Sequence, residues 1–254
     1  MKISIITVCY NSAETIEATI KSIVEQDYDD IEHIIIDGKS TDGTMDIVEK
    51  YRAGISALVS EPDDGIYAAM NKGIALATGD VIGFLNADDF FAEKSVVRWV
   101  ADAFNDKDID ACHGDLVYVA KDNIQKIVRH WKSRPYESGL FEKGWMPAHP
   151  TFYVRKRIYE QYGGFDLTFS MANDVELMIR FLAKHKIRSV YIPKIMVKMR
   201  KGGISNKNIG NIVRQNLEIL RASKKNGVNV SLISFLIYKA TSRFTQNFLF
   251  GSAK

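Results

Sequence analysis

A chain of 254 residues with 46% hydrophobic and 26% charged side chains has the length and composition to fold around a substantial core. Those proportions exclude a collagen-like repeat, a disulfide-stapled miniprotein and a disordered polyelectrolyte, and a net charge of +3 is too small to specify nucleic acid as a partner. The two cysteines, Cys9 and Cys112, each fall in an apolar run and read as buried thiols rather than a bridge or a metal site.

The N-terminal run Met1–Val8 lacks the long apolar stretch and small-residue cleavage site of a secretory leader, so it reads as a first strand over residues 2–8 of a cytoplasmic protein. No apolar run reaches the roughly 20 residues that a helix needs to span a bilayer. Asn11 to Gln26 carries Ile16, Ile20, Ile23 and Val24 on one helical face, and Asn11 with Glu14 predicts a capping box at its start. Ile34–Ile36 forms a second strand that stops at Asp37-Gly38, and the Asp42-Gly43 turn leads into a short helix with Ile47, Val48 and Tyr51 inward. Leu58-Val59 is a third strand; Ile66, Met70, Ile74 and Ala77 mark the next helix, with Gly79 at its C′ position. Val81–Leu85 is the fourth strand and ends abruptly in Asn86-Ala87-Asp88-Asp89. This alternation predicts the α/β class, a mostly parallel sheet flanked by helices.

Beyond residue 90 the order changes. Runs near 110–119 and 126–131 predict a meander, and Pro147 and Pro150 bracket a loop. A helix follows over 174–185, then strands near 188–192 and 195–199, and helical periodicity returns at Ile209, Ile212, Asn216 and Leu220. The sequence therefore predicts one domain with a mixed sheet and a C-terminal helical tail.

Polar and acidic residues follow the first, second and fourth strands, at the edge where open α/β sheets bind ligands. The first strand runs into Cys9-Tyr10-Asn11, without a glycine-rich turn or a P-loop, so a bound nucleotide must be held by side chains and a cation. Asp37 is either a strand-ending turn residue or an acceptor for a base or ribose group. In Asn86-Ala87-Asp88-Asp89, side chains 86 and 88 can point together off a strand end, which suits either a hard divalent ion shared with phosphate or a solvated acidic turn capping a helix that starts near Lys94. Asp174 and Glu176 sit in a first helical turn, where acids meet the helix dipole, and Asp174 is also placed to serve as a general base. His149 lies in Met146-Pro147-Ala148-His149-Pro150 as a loop histidine or a ligand. Arg200-Lys201-Gly202-Gly203 is an exposed basic turn or a clamp on a departing pyrophosphate.

Taken together and in order, these motifs resemble the bacterial family 2 glycosyltransferases of the GT-A fold. The matching stretches are Ser4–Asn11, Ile35–Thr44, Ser60–Tyr67, Asn71-Lys72-Gly73, Gly79-Asp80, Leu85–Asp89, His149–Phe152, Gly163–Asp166 and Asn173–Glu176. The resemblance implies a Rossmann-like GT-A domain over 1–205 and a helical extension over 206–254. It implies nucleotide-sugar contacts from Thr7, Tyr10, Asn11, Asp37, Asp63, Lys72, Asn86, Ala87 and Asp88. Asp88 would hold a Mn2+ or Mg2+ ion bridging the diphosphate, and Asp174 would be the catalytic base of an inverting displacement. His149, Glu176, Arg200 and Lys201 would flank the diphosphate or acceptor. The expected donor is a nucleotide-diphosphate sugar, with UDP favoured. The expected acceptor is a saccharide or lipid-linked saccharide in cell-surface polysaccharide or lipopolysaccharide synthesis. A non-catalytic nucleotide-sugar-binding or scaffolding subunit of the same fold is the alternative.

The segment Ser231–Phe250, aromatic-rich with Lys239 and Arg243 interleaved, has the composition of an amphipathic helix for a membrane interface, or of a helix packed on the domain or on a second subunit of a homodimer. Peripheral attachment at the inner face of the cytoplasmic membrane is the corresponding expectation for location.

Overall fold

The computed structural model describes residues 1–202 and 209–230. The N-terminal half builds β1 (Ile3–Cys9), α1 (Ile16–Val24), β2 (Ile31–Asp37), α2 (Thr44–Lys50), β3 (Ala57–Ser60), α3 (Ile66–Leu76) and β4 (Val81–Phe84). All seven residues of β1 are buried, the mark of a parallel strand covered on both faces. In α1 the buried side chains are Ile16, Thr19, Ile20 and Ile23, a single stripe at helical spacing. The helix α3 lies so close to β1 that a Cβ on Gly73 would stand 2.4 Å from Ile6 Cγ2. Only glycine permits that approach.

Two local expectations fail here. The first helix starts at Ile16, not Asn11. Asn11 takes a left-handed conformation (φ 49°) and spends its side chain on Thr41, whose N–H donates to Asn11 Oδ1 at 2.9 Å. Gly79 does not close α3, which ends at Ala77 in extended backbone; it is required because a Cβ would meet Ser4 Oγ at 2.6 Å.

The second half adds β5 (Asp89–Phe91), α4 (Val96–Ala103), β6 (Ala111–Val119), β7 (Ile127–Trp131), a 3-10 turn at His149–Thr151, β8 (Tyr153–Arg155) and α5 (Lys156–Tyr162). Then come α6 (Asn173–Ile179) with a π-turn over Arg180–Lys184, β9 (Ser189–Arg200) and α7 (Ile209–Lys225). The helix expected over 174–185 is thus α6 plus the π-turn. The two late strands are one, with an irregularity where the pairing jumps from Gly114↔Ile192 to Asp115↔Ile195. Pro193 sits in that gap and has no N–H to give to a ladder.

Among the described residues the strands form one sheet in the order β3-β2-β1-β4-β8-β6-β9-β5, with β7 paired to the distal part of β6. β1, β2, β3 and β4 are mutually parallel, β8 is antiparallel to both β4 and β6, and β9 is parallel to β6. The expected mixed, largely parallel α/β sheet is present. Both cysteines are free and buried, as expected.

The described part of the C-terminal extension is tied to this domain. The Glu218 carboxylate on α7 accepts from the N–H groups of Ser170 at 2.9 Å, Met171 at 2.7 Å and Ala172 at 3.2 Å, just before α6. Asn226 Nδ2 donates to Glu176 Oε1 at 3.0 Å. None of the described helices is long and apolar enough to cross a membrane. The expectation for 231–250, and residues 203–208 of the basic loop region, lie outside the described residues.

Candidate active site

Parallel pairing sets the first part of the site. The registers Cys9↔Asp37 and Asp37↔Ser60 line up the last residues of β1, β2 and β3 at one edge. Asp37 is fully buried there and its carboxylate accepts from Ser40 N at 3.0 Å, Ser40 Oγ at 2.5 Å and Ser60 Oγ at 2.6 Å. Ser40 in turn accepts from Asn11 N at 2.8 Å, so the loops after β1 and β2 are stitched together. Tyr10 stands on this platform, 66% exposed, with its ring against Gly38, where an added Cβ would lie 3.4 Å away. Thr7 is interior and shares a 3.1 Å hydrogen bond with His33, a buried imidazole that desolvation pushes down to about 4.

After β3, Lys72 on α3 reaches back to Glu61 Oε1 at 2.6 Å and to Asp63 Oδ1 at 2.6 Å. The Asp63 contact is a charge contact without hydrogen-bond geometry, and its buried oxygens have no other partner. Asp63 and Glu61 hold the Lys72 ammonium above its ordinary range.

The turn after β4 closes with Asp89 N donating to Asn86 O at 3.0 Å, and the Asn86 amide donates to Asp89 Oδ2 at a long 3.5 Å. Ala87 is buried with Cys9 and Ile16. Asp88 is exposed, yet enough of the chain surrounds it that desolvation raises its carboxyl above the usual range, against the opposing charge of Arg200. Asp89 points inward with no exposure, and burial, reinforced by the Asp88 charge, raises it much further. Arg200, the last residue of β9, donates to Asp88 O at 2.6 Å and stacks on Phe90 at 5.0 Å. Lys201 is exposed beside it, its N–H on Val119 O at 3.0 Å. Asn86 Oδ1 has no protein partner.

The third group surrounds Asp174, half-buried in the first turn of α6. Tyr67 on α3 donates its hydroxyl to Asp174 Oδ1 at a long 3.4 Å. His149 lies against Phe84 at the end of β4, ring centres 5.4 Å apart, and edge-on to Phe165 at 5.6 Å. Desolvation lowers the His149 imidazole while the nearby Asp174 charge opposes that shift. Asn71 fixes Phe165 by donating to its carbonyl at 2.9 Å and accepting from its N–H at 2.8 Å. Glu176, two residues beyond Asp174, turns the other way. It is fully buried, paired with Arg180 at 3.1 Å, and is not brought to this group.

The sheet edge therefore assembles Tyr10, Asn11 and Asp37; Asn86, Asp88 and Arg200; and His149 with Asp174. Thr7, Ala87 and Glu176 lie within the packed interior. Tyr67 is a site residue that periodicity alone does not reveal, because an aromatic in an amphipathic helix reads as core.

A family model described as glycosyl transferase family 2 matches residues 4–172. The chain belongs to glycosyl transferase family 2. It is 32% identical over 180 residues to an uncharacterised glycosyltransferase of Mycobacterium tuberculosis, covering 70% of this chain and 68% of the relative. A PGL/p-HBAD biosynthesis glycosyltransferase of Mycobacterium bovis is 27% identical over 209 residues, covering 80% of this chain and 78% of that one. The fold matches S. aureus TarS 1–349 in complex with UDP-GlcNAc (TM-score 0.66, 19% identity, 100% of this chain and 76% of that one). It also matches the mannosyltransferase PcManGT of Pyrobaculum calidifontis in complex with GDP-Man and Mn2+ (TM-score 0.67, 18% identity, 95% of this chain and 69% of that one). As a family 2 glycosyltransferase with the GT-A fold, the chain is a transferase that takes its sugar from a nucleotide-sugar donor.

Among the described residues no three His, Cys, Asp or Glu side chains cluster as a self-contained metal cage. The donor set that is present, one open carboxylate at Asp88 and the unpartnered Asn86 Oδ1, fits a hard cation that completes its shell with phosphate oxygens and water.

Proposed function

We propose that the chain is an inverting glycosyltransferase that moves a sugar from a nucleoside diphosphate, UDP favoured, to a hydroxyl of a saccharide or lipid-linked saccharide. The observation that carries this reading is a division of labour between two carboxylates at one sheet edge. Asp88 is open to solvent, with only its backbone oxygen engaged by Arg200; Asp174 is half-buried beside His149, held by one long hydrogen bond from Tyr67. Tyr10 supplies an exposed ring on which a base can stack, above loops fastened by Asp37 and Asn11. Asp63 and Lys72 flank the same edge.

Asp88 and Asn86 would hold a Mn2+ or Mg2+ ion, whose charge stabilises the diphosphate as it departs. Arg200, with Lys201 beside it, adds positive charge near the same group. Asp174 takes the proton from the acceptor hydroxyl as that oxygen bonds to the anomeric carbon, and the nucleoside diphosphate leaves with the electrons of the broken C–O bond. One displacement on the opposite face inverts the anomeric configuration. His149, walled by Phe84 and Phe165, excludes water beside Asp174. The structural neighbours bound to UDP-GlcNAc, and to GDP-Man with Mn2+, support a nucleotide-sugar donor and a divalent ion. Within this reading residues 1–205 are the catalytic domain, and 206–254 an extension that serves membrane or subunit contact during cell-surface polysaccharide synthesis.

The test is Asp174→Asn with a panel of nucleotide sugars and Mn2+ or Mg2+. Donor affinity should persist while transfer falls by about 100-fold or more, the scale of a lost general base. Equal transfer by parent and variant removes Asp174 from the mechanism, and donor binding with no transfer by the parent supports a binding subunit.

A further inference from the structure

Two strands beyond the Asp174 group, β6, β7 and β9 gather a second set of polar and aromatic side chains that the mechanism above leaves unused. Asp115 is nearly buried and accepts from Ser133 N at 2.7 Å, Tyr191 Oη at 2.8 Å and His130 Nε2 at 2.9 Å. A carboxylate has about four acceptor sites, so these three contacts leave it close to saturated. Its role is to orient the groups around it. The Tyr191 hydroxyl donates its hydrogen bond to Asp115 and keeps its oxygen lone pairs, and Tyr191 and His130 form the part-exposed rim. Below them the His113 ring lies 5.6 Å from Tyr191 and 5.8 Å from Trp145. His113 Nδ1, Trp145 Nε1 and Ser133 Oγ are buried without protein partners. Three such atoms in one contiguous group are unusual, since buried polar atoms are nearly always paired.

Position gives the group its meaning. Ala111, His113 and Asp115 alternate onto one face of β6, and Ala111 packs in the same core cluster as Phe84, against which His149 lies. Gly114 N donates to Thr151 Oγ1 at 3.2 Å, fastening the turn that carries His149 to the residue before Asp115. Only β8 separates β4 from β6, so Asp115 lies on a strand two spacings, about 10 Å, along the sheet from β4, whose last residue Phe84 backs His149. That is a span of one to two sugar rings.

We propose that Tyr191 and His130, oriented by Asp115 over a floor of His113 and Trp145, form a subsite for a saccharide ring of the acceptor. The inference rests on the transferase reading above and deepens it by assigning residues that would hold a ring of the acceptor. The chemistry is that of carbohydrate recognition: the part-exposed Tyr191 ring offers a surface to a C–H face and its hydroxyl oxygen an acceptor to a ring hydroxyl, while the buried His113 and Trp145 back the rim. A site built this way rejects an alcohol without those hydroxyls, because its polar groups are then left unpaired.

The experiment measures binding of methyl glycosides of glucose, galactose and mannose to the full chain by saturation-transfer NMR, with propanol as the control, for the parent, Tyr191→Phe and His130→Gln. Donor affinity and thermal midpoint are recorded for each. The expected result is binding of at least one glycoside but not propanol, weakened about tenfold in Tyr191→Phe, the scale of one lost hydrogen bond, with donor affinity unchanged. Where the parent transfers sugar, acceptor KM rises by the same factor and kcat holds. Glycoside binding that is absent from the parent, or equal in parent and both variants, overturns the subsite. A lowered thermal midpoint with unaltered glycoside affinity also overturns it and makes the network a strand fastener. Because glycoside binding is read without a donor, failure of the transferase reading shows separately, as absent donor binding.

Discussion

Replacing Glu218 by alanine should loosen α6, although Glu218 lies 44 residues downstream of Asp174 in sequence (218 − 174). Its carboxylate takes four hydrogen bonds from the segment leading into α6: Ser170 N at 2.9 Å, Ser170 Oγ at 2.6 Å, Met171 N at 2.7 Å and Ala172 N at 3.2 Å. Burial alone would raise this carboxyl, but those donors outweigh it and hold the group below its ordinary range. Hydrogen bonds to a charged acceptor contribute about 1.5–3 kcal/mol each when lost alone. Part of that sum is recovered here, because the Ser170 bonds lie at the surface and water can replace the carboxylate. A net cost of about 2–4 kcal/mol follows, and in a chain of this length it lowers the thermal midpoint by roughly 5–12 °C. Differential scanning calorimetry measures the shift, and transfer assays should show kcat falling more than donor KM rises, since Asp174 sits in the first turn that Glu218 secures. Glu218→Gln keeps the acceptor oxygen and should lose about half as much. A midpoint for Glu218→Ala within about 2 °C of the parent would refute the reasoning.

Gly73→Ala should destabilise the fold by about 1–3 kcal/mol, because the new methyl would sit 2.4 Å from Ile6 Cγ2 and must push α3 off β1; a urea midpoint at or above that of the parent would contradict this. Acid should weaken the fold through His33. Its folded pKa of about 4 lies below the unfolded 6.5, so its contribution is complete above pH 6.5 and is lost as pH falls towards 4, by about 3 kcal/mol in all. The slope of urea midpoint against pH between 6.5 and 5 should flatten in His33→Gln, and an unchanged slope would remove His33 as its source.

The first four strands and three helices are legible in the sequence because the strands are apolar runs cut off by polar turn residues and the helices between them show a buried stripe at helical spacing. The second half is less legible for a physical reason. The strands β5 and β8 have three residues each, too few for any period, and exist because partners are in place: Asp89–Phe91 against Val197–Met199, and Val154 between Ile82 and Ala111. The short helix α5, seven residues directly after β8, shows too little of its period to stand out. Asn11 misleads because its left-handed geometry is imposed by the loop after β2, outside any local window. In the site, Asp88 and Asp174 stand out as acids beside apolar runs. What separates Asp174 from Glu176 is only which way a helix turns; Glu176 meets Arg180 one turn on, and the Asn226 partner that completes its pairing comes from just past the end of α7. The Asp115 network is invisible for the same reason, since its members come from three strands and the segment after β7.

The three residues of β8 carry a mechanical meaning as well. On one side they pair only through Arg155 and Val154 with β4, and on the other only through Val154 and Tyr153 with β6. The ladder thus narrows at β8, with Val154 common to both sides, and a second tie is made by β5, which carries the chain from the Asp88 turn onto β9. The side from β3 to β4 bears Tyr10, Asp37 and Asp88, while the side around β6 bears Asp115 and Tyr191. Because Arg200 reaches from β9 to the Asp88 carbonyl, a substitution that shifts β9 is felt at the Asp88 turn, whereas one confined to β8 acts through two residue pairs on each side.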